Sequence, residues 1–294
     1  MKTIGIFLVC LISFSLSAQF KPYKPYKRPK PKKSYAAGTM SIYWGYNRSA
    51  YTKSNIEFIG PGYDFTLNRG IAKDRPEKNI KTYFDPRQIT VPQFNLRVGY
   101  TYKNNWQISL GYDHLKYVLQ DTTYTLSGHI NYGVDNVNHW SGNFNGDTVH
   151  VSTPTFHYEN TNGLNYIRLE LARVDQWYRS QTGNFAISTL IGGSTGMLLS
   201  FNDFTFAGRK DVATVSVSGL GFSAHVGGRF EFFKHLFFQV NGATGGMVQM
   251  RVRTRPNDVE SYAKQKFMYG TVEAVIGGFI YIRPKNDCNS CPHW

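Results

Sequence analysis

Residues 94–113 read Phe-Asn-Leu-Arg-Val-Gly-Tyr-Thr-Tyr-Lys-Asn-Asn-Trp-Gln-Ile-Ser-Leu-Gly-Tyr-Asp. Phe94, Leu96, Val98, Tyr100 and Tyr102 share one parity, while Asn95, Arg97, Gly99 and Thr101 share the other. Side chains alternate faces along a strand, so the stretch predicts a strand with one apolar and one polar side. Past Lys103-Asn104-Asn105 the pattern returns: Trp106, Ile108, Leu110 and Tyr112 oppose Gln107, Ser109, Gly111 and Asp113. A three-residue link between two such runs predicts a hairpin.

The same grammar extends in both directions. Further runs lie at 163–180, 183–201, 212–233, 235–253 and 265–283, and a first one at 38–50, making eight strands. Leu220, Phe222, Ala224, Val226 and Phe230 oppose Ser223, His225, Arg229 and Glu231. Phe238, Val240, Val248, Met250 and Val252 oppose Gln239, Asn241, Gln249 and Arg251. Val272, Ala274, Ile276, Ile280 and Ile282 share a face, with Glu273 across from it. The strands run to roughly 12–20 residues, against about 5–6 in soluble sheets. Links at 103–105, 180–183 and 233–235 are short, whereas those at 51–90, 120–162, 202–211 and 254–264 are longer. Short turns at one end, long loops at the other and an even strand number are the pattern of an outer-membrane barrel. The fold expected is all-β, an eight-stranded antiparallel transmembrane barrel with long extracellular loops over residues 38–284.

Composition narrows the field. The chain has 294 residues, with 33 Lys+Arg against 19 Asp+Glu, a formal +14, and 16% aromatic residues. So many aromatics exclude a disordered chain, since they need burial or a lipid face. The composition also excludes a coiled coil, and three Cys, one in the leader, are too few for a disulfide framework. Residues 180–202 carry no charge and are long enough for a membrane helix. They contain Gly192, Gly193 and Gly196 and continue the hairpin pattern, which favours a strand. A soluble β-sandwich would need a second sheet over the apolar face and would suit shorter strands. Trp44, Trp106, Trp177, Tyr100, Tyr102, Phe201 and Phe237 lie near strand ends, as interfacial aromatics do.

Residues 1–18 place one Lys before an apolar core and end in small residues, the layout of a secretory signal peptide cleaved after Ala18. Residues 19–37 form a Lys/Pro-rich periplasmic arm, in which Lys21, Lys24, Lys27, Arg28, Lys30, Lys32 and Lys33 alternate with four Pro. Proline fixes φ and removes donors, so the arm is expected to be extended and coreless. It reads as a solvated tether or as an electrostatic dock for an anionic envelope polymer, a lipid surface or an acidic protein. Nucleic acid is not an expected partner of an exported chain.

The chain resembles the small outer-membrane β-barrel proteins of the Bacteroidota, similar in architecture to OmpA- and OmpW-type barrels. The resemblance rests on the leader ending Ser17-Ala18-Gln19, the paired-strand grammar, and the segments Gly60-Pro61-Gly62-Tyr63-Asp64-Phe65-Thr66-Leu67, Tyr112-Asp113-His114-Leu115-Lys116-Tyr117-Val118 and Asn162-Gly163-Leu164-Asn165-Tyr166. It implies integration in the outer membrane with periplasmic termini, but no particular activity. Such barrels commonly stop at an aromatic on the final strand, whereas here twelve residues follow Phe279-Ile280-Tyr281-Ile282.

An eight-stranded barrel has room for side chains but no open pore. Its inward set would include Arg97, Arg168, Glu170, His225, Arg229, Glu231, Arg251 and Glu273, both signs being present as a buried ion-pair plug requires. A plugged barrel is expected, with a narrow channel as the alternative. Catalytic candidates are few. Asp113 and His114 could serve as a base and its orienter, but neighbours on a strand point to opposite faces. His129, His139, His150 and His157 have no tight metal-ligand spacing, and no cofactor is expected. Cys288 and Cys291, in the tail at 285–294, are read as a small disulfide in an oxidising compartment. Connections of 40 and 43 residues exceed what joining strands requires and read as binding loops. The expected role is a non-enzymatic structural or accessory subunit contacting other envelope components. The alternatives are an enzyme acting on lipid A or peptides, or a small-solute channel.

Overall fold

The computed structural model describes residues 37–282 apart from Pro86 and Ile89. The leader, the basic arm from Lys21 to Lys33 and the Cys288/Cys291 pair therefore lie outside the described residues. Thirteen strands form in chain order: β1 (Thr39–Tyr51), β2 (Ser54–Gly60), β3 (Tyr63–Gly70), β4 (Ala72–Lys73), β5 (Phe94–Lys103), β6 (Trp106–Leu119), β7 (Thr122–Ile130), β8 (Gly142–Val151), β9 (His157–Arg179), β10 (Phe185–Phe206), β11 (Arg209–Phe232), β12 (Leu236–Arg255) and β13 (Asp258–Tyr281). One 3-10 turn stands at Ile80–Tyr83.

Eight of these strands make a closed antiparallel ring in the order β1-β5-β6-β9-β10-β11-β12-β13. It shuts where β13 pairs with β1, Thr39 facing Tyr281 and Tyr51 facing Tyr269. The eight-stranded barrel read from the alternation is therefore the fold, and residues 185–202 form part of β10 rather than a helix. Among the described residues no helix is long and apolar enough to cross a membrane, which does not bear on strands. At the short-turn end, Asn105 takes a left-handed φ of 69° and its amide donates to the Val174 carbonyl at 2.8 Å. Asparagine tolerates that conformation better than most residues, which explains the tight β5–β6 link.

The opposite end departs from expectation. The links at 202–211 and 254–264 are mostly strand, and the turns shrink to Ala207-Gly208 and Pro256-Asn257. Ala207 and Gly208 have φ of 56° and 73°, the paired left-handed positions of a hairpin turn that matches strand twist. The two long connections are also folded. Strands β2 and β3 form a hairpin around Pro61-Gly62, where Gly62 at φ 80° supplies the conformation a Pro-Gly turn requires. Strand β2 pairs with β13, β3 with β7, and β7 with β8, so the barrel sheet continues outward as a cap.

Barrel and cap use opposite patterns on shared strands. In the ring, outward residues are apolar and exposed, among them Leu96, Val98, Leu110, Leu169, Val226, Val272 and Ile276. Inward residues there are mostly polar: Arg97, Asn95, Glu170, Ser188, Gln239 and Glu273 are buried. In the cap the inward set is apolar. Phe58, Phe65, Phe156, Tyr158, Phe204, Phe206 and Leu126 build one buried cluster that includes Trp140. The change of pattern coincides with register shifts at Leu198/Leu199 and Asn202/Phe204 on β10, and at Gln249/Val252 on β12. On β11 and β12 the extra residue turns the following side chains to the other face, whereas the inward positions of β10 stay on one parity from Ser188 to Phe206.

Two assignments are corrected by this geometry. Arg251, expected inside the barrel, is exposed and stacks on the Tyr262 ring at 4.5 Å, because the Gln249/Val252 shift turns Val252 inward instead. Phe237, expected at the outer interface, is 1% exposed and sits in a small inner cluster with Tyr43, Val174, Leu190, Val275 and Phe279. It follows Leu236 out of the turn on the inward parity, while Phe238 takes the outward one. Tyr100, Tyr102, Trp177 and Tyr178 are exposed near the short-turn end.

Candidate functional site

The barrel lumen is the most elaborate polar site in the described residues. β5 supplies Asn95 and Arg97, β6 Asp113, β9 Arg168 and Glu170, and β13 Glu273, each on the inward parity of its strand. Arg97 lies 2.5 Å from Asp113, 3.4 Å from Glu170 and 3.9 Å from Glu273. Arg168 reaches the same three carboxylates at 3.2, 3.3 and 3.6 Å. Asn95 donates to Asp113 at 2.5 Å and to Glu273 at 3.2 Å. A Cβ at Gly111 would stand 2.6 Å from the Arg97 side chain, so the guanidinium fits only because that register position has none. Three carboxylates against two guanidiniums, closely packed, make a crosslink of the wall, since removing one partner would strand a buried charge.

A second chain of contacts runs toward the short-turn end. Arg229 donates to Gln239 at 2.6 Å, Gln239 to Asn241 at 2.8 Å, and Asn241 to Glu273 at 3.1 Å. Arg229 also lies over the Phe237 ring at 4.3 Å, and Ser188 donates to Glu231 at 2.8 Å. His225 stands 3.5 Å from Glu170. Of the eight interior residues read from sequence, Arg97, Arg168, Glu170, His225 and Glu273 come together, with Arg229 joined through the amides. Glu231 lies further along, and Arg251 is outside.

Asp113 belongs to this cluster, although the sequence suggested it as a catalytic partner of His114. The pleat separates the two: Asp113 meets Arg97 and Arg168, while His114 stacks on Phe94 at 5.5 Å with its Nδ1 2.8 Å from Asn165 Oδ1. The pairing of Asp113 with Arg97 was visible in principle, since the two sit on the inward parity of adjacent hairpin strands.

Above the charges lies an uncharged layer. Tyr117 donates to Gln265 at 2.9 Å, Gln265 to Gln249 at 2.5 Å, and Gln249 to Ser200 at 2.9 Å. Next comes the aromatic cluster, with Phe58 stacked against Phe204 at 5.4 Å and Phe65 at 5.3 Å. Lumen and cap are thus filled in layers from the inner end to the outer.

A polar pocket of about 800 Å³ opens on the cap surface where the first long connection meets β9. There Glu159 is held by Arg75 at 3.0 Å and lies 3.0 Å from His157, so both partners engage its carboxylate. Burial pushes the neighbouring Asp74 carboxyl above its ordinary value, opposed by the Ser49 N–H that it accepts. Among the described residues no three His, Cys, Asp or Glu side chains gather as a metal set, and His129, His139 and His150 join no such group.

The architecture is a closed eight-stranded antiparallel barrel, polar within and apolar without. No family model matches the chain, and no curated protein sequence matches it. Among solved structures it is similar to the outer membrane protein OprG from Pseudomonas aeruginosa, at 10% identity and a TM-score of 0.35, covering 84% of this chain and 97% of that one. The outer membrane protease OmpT from Escherichia coli aligns at 8% identity and 0.35, covering 82% and 96%. Ail, the attachment invasion locus protein of Yersinia pestis, aligns at 12% and 0.30, covering 83% and 99%. Likenesses at this level assign no role.

Proposed function

We propose that this chain is an integral outer-membrane barrel, closed to solutes, that serves as a structural or accessory subunit of the envelope. One observation carries the membrane reading: the ring's outward face is predominantly apolar and exposed, with Arg48 on β1 as an outward cation opposite Val272, while most of its charges are turned inward. On β13 the outward positions from Met268 to Ile280 contain no charge. Twelve steps of ~3.3 Å give ~40 Å along the strand, or ~30 Å across a membrane at the usual tilt, enough for the ~25 Å apolar band of such barrels. Exposed apolar area on that scale would aggregate in water.

The filled lumen supports closure. Ion pairs, amides and aromatic rings succeed one another along the axis, so a solute would have to displace groups that are already partnered. The cap then supplies the contact surface beyond the membrane, and the basic arm at 21–33 a second one, for acidic partners or an anionic envelope polymer.

The test is a gentle-detergent pulldown of the tagged native protein from outer membranes, together with planar-bilayer recording. A stoichiometric partner set and no discrete current are expected. A partner-free monomer would overturn the accessory role, and stepwise conductance would overturn closure.

A further inference from the structure

Where the outward face of β12 and β13 leaves the apolar band, it meets the β2–β3 hairpin in a groove of about 880 Å³. Its floor carries Val248 and Met250, and Lys53, Arg69, Lys264 and Lys266 line it. Glu57, its one carboxylate, is already paired with Lys264 at 3.4 Å. Lys53, Arg69 and Lys266 are exposed and have no carboxylate partner among the described residues. Four cations around one neutralised acid leave a strong positive excess.

Its height on the barrel gives the groove a meaning. Lys266 faces Val248 across the β12–β13 ladder, and Lys264 faces Glu57 on β2. One outward position further in is Met268, where the uncharged face begins. The cations therefore stand at the boundary between apolar wall and water. Arg69 is held there at φ 55°, a left-handed conformation that costs a non-glycine residue energy, beside the register shift at Ser54/Ile56. Directly inward, past Met268 and Gly246, lies an open, largely apolar trough of about 810 Å³, one wall of which carries Arg48. Its floor is small because Gly270 faces Thr244 and Thr244 faces Ala224 across three strands. A cationic groove over an apolar trough complements a molecule with an anionic head and a hydrocarbon chain.

We infer that this groove holds the phosphate-bearing headgroup of an outer-leaflet lipid, with an acyl chain lying in the trough. The inference rests on the outer-membrane reading above. Lys53, Arg69 and Lys266 supply the free cations, whereas Lys264 is partly engaged by Glu57. The phosphate gains charge-assisted hydrogen bonds at the rim, where neighbouring lipid lowers the dielectric.

The experiment compares the full chain with a Lys53→Ala/Arg69→Ala/Lys266→Ala variant in phosphatidylcholine nanodiscs doped with phosphatidic acid, counting retained lipids by native mass spectrometry. The wild type is expected to retain one phosphatidic acid through a salt wash. The triple variant should hold it on the order of tenfold to a hundredfold more weakly, since each cation near an anionic lipid surface contributes separately. A charge-conserving variant, Lys53→Arg/Arg69→Lys/Lys266→Arg, should retain it. Equal retention by wild type and triple variant would overturn the site. Displacement by inorganic phosphate at comparable concentration would overturn the lipid assignment in favour of a free-anion site. Heat-dependent gel mobility in undoped phosphatidylcholine reports insertion separately. A wild type that fails to insert there overturns the membrane reading, and this inference with it.

Discussion

The ring and the cap share strands and follow opposite rules. Along β10 the buried inward residues pass from Ser188 and Ser200 to Phe204 and Phe206, while the outward ones pass from Ile191 and Met197 to Asp203. In the ring the outward solvent is hydrocarbon, so apolar groups face out and charges must pair inside. In the cap that solvent is water, and the hydrophobic effect again places aromatics at the centre. One continuous backbone ladder thus crosses two solvents: β10 keeps its parity from Ser188 to Phe206 and changes only the residue type it turns inward, while bulges shift the parity of β11 and β12. The difference locates the membrane surface from within the chain, between Ser200 and Phe204 on β10 and between Gln249 and Val252 on β12.

The sharpest way to break the comparison is at the lumen. Arg97→Met would leave Asp113 without its closest cation and is expected to cost about 3–5 kcal/mol. The check is the urea midpoint of folding into vesicles, and a wild-type midpoint would mean the cluster does not brace the wall. Phe58→Ala in the cap should cost about 3 kcal/mol but act locally. Trp140, 8% exposed in the same cluster, should redden in fluorescence while the heat-dependent mobility of the barrel stays unchanged. Loss of both together would mean that ring and cap unfold as one unit.

A milder contrast tests the outer surfaces. Ile276→Arg, within the uncharged stretch on β13 and facing Trp44, should lower stability by about 2–3 kcal/mol in phosphatidylcholine vesicles. Thr148→Arg, exposed on the outer face of the cap, should change it by less than about 0.5 kcal/mol. Equal effects would remove the distinction between the two solvents.

The smallest expected effect concerns Asp74. Burial raises its carboxyl pKa in the folded state, so the cost of ionising it is absent below the ordinary aspartate value, and grows as pH rises through the raised one. Asp74→Asn should therefore slow hydrogen exchange at Ser49 slightly at pH ~7 and leave it unchanged near pH ~3. The opposite trend would mean that the carboxylate is favoured where it sits.

Most of the ring was legible because period two survives wherever one face is hydrocarbon. Arg97, Arg168, Glu170 and Glu273 could be placed inside by parity alone. Parity fails at a bulge, which leaves no mark of its own in the sequence, and Arg251 was misplaced for that reason. The cap was read as loops because β2, β3, β7 and β8 are short and joined by turn residues. Their partners lie far along the chain: β2 pairs with β13, and β3 with β7. Asp113 was noticed for its neighbour His114, whereas its function in the wall depends on Arg97 across the hairpin.

The triple pairing of β13 has a consequence for how the molecule comes into being. β13 lies against β12 along one edge, and against β1 and β2 along the other. During synthesis β1 and the β2–β3 hairpin emerge long before the strand that will seal them. Until then the nascent ring has two open edges, and the β2–β3 hairpin lacks its ladder to the ring. An open edge recruits any strand within reach, so the unfinished chain is exposed to wrong pairing until that strand docks. Assembly therefore turns on a single late event: docking one strand locks the cylinder and seats its lid together.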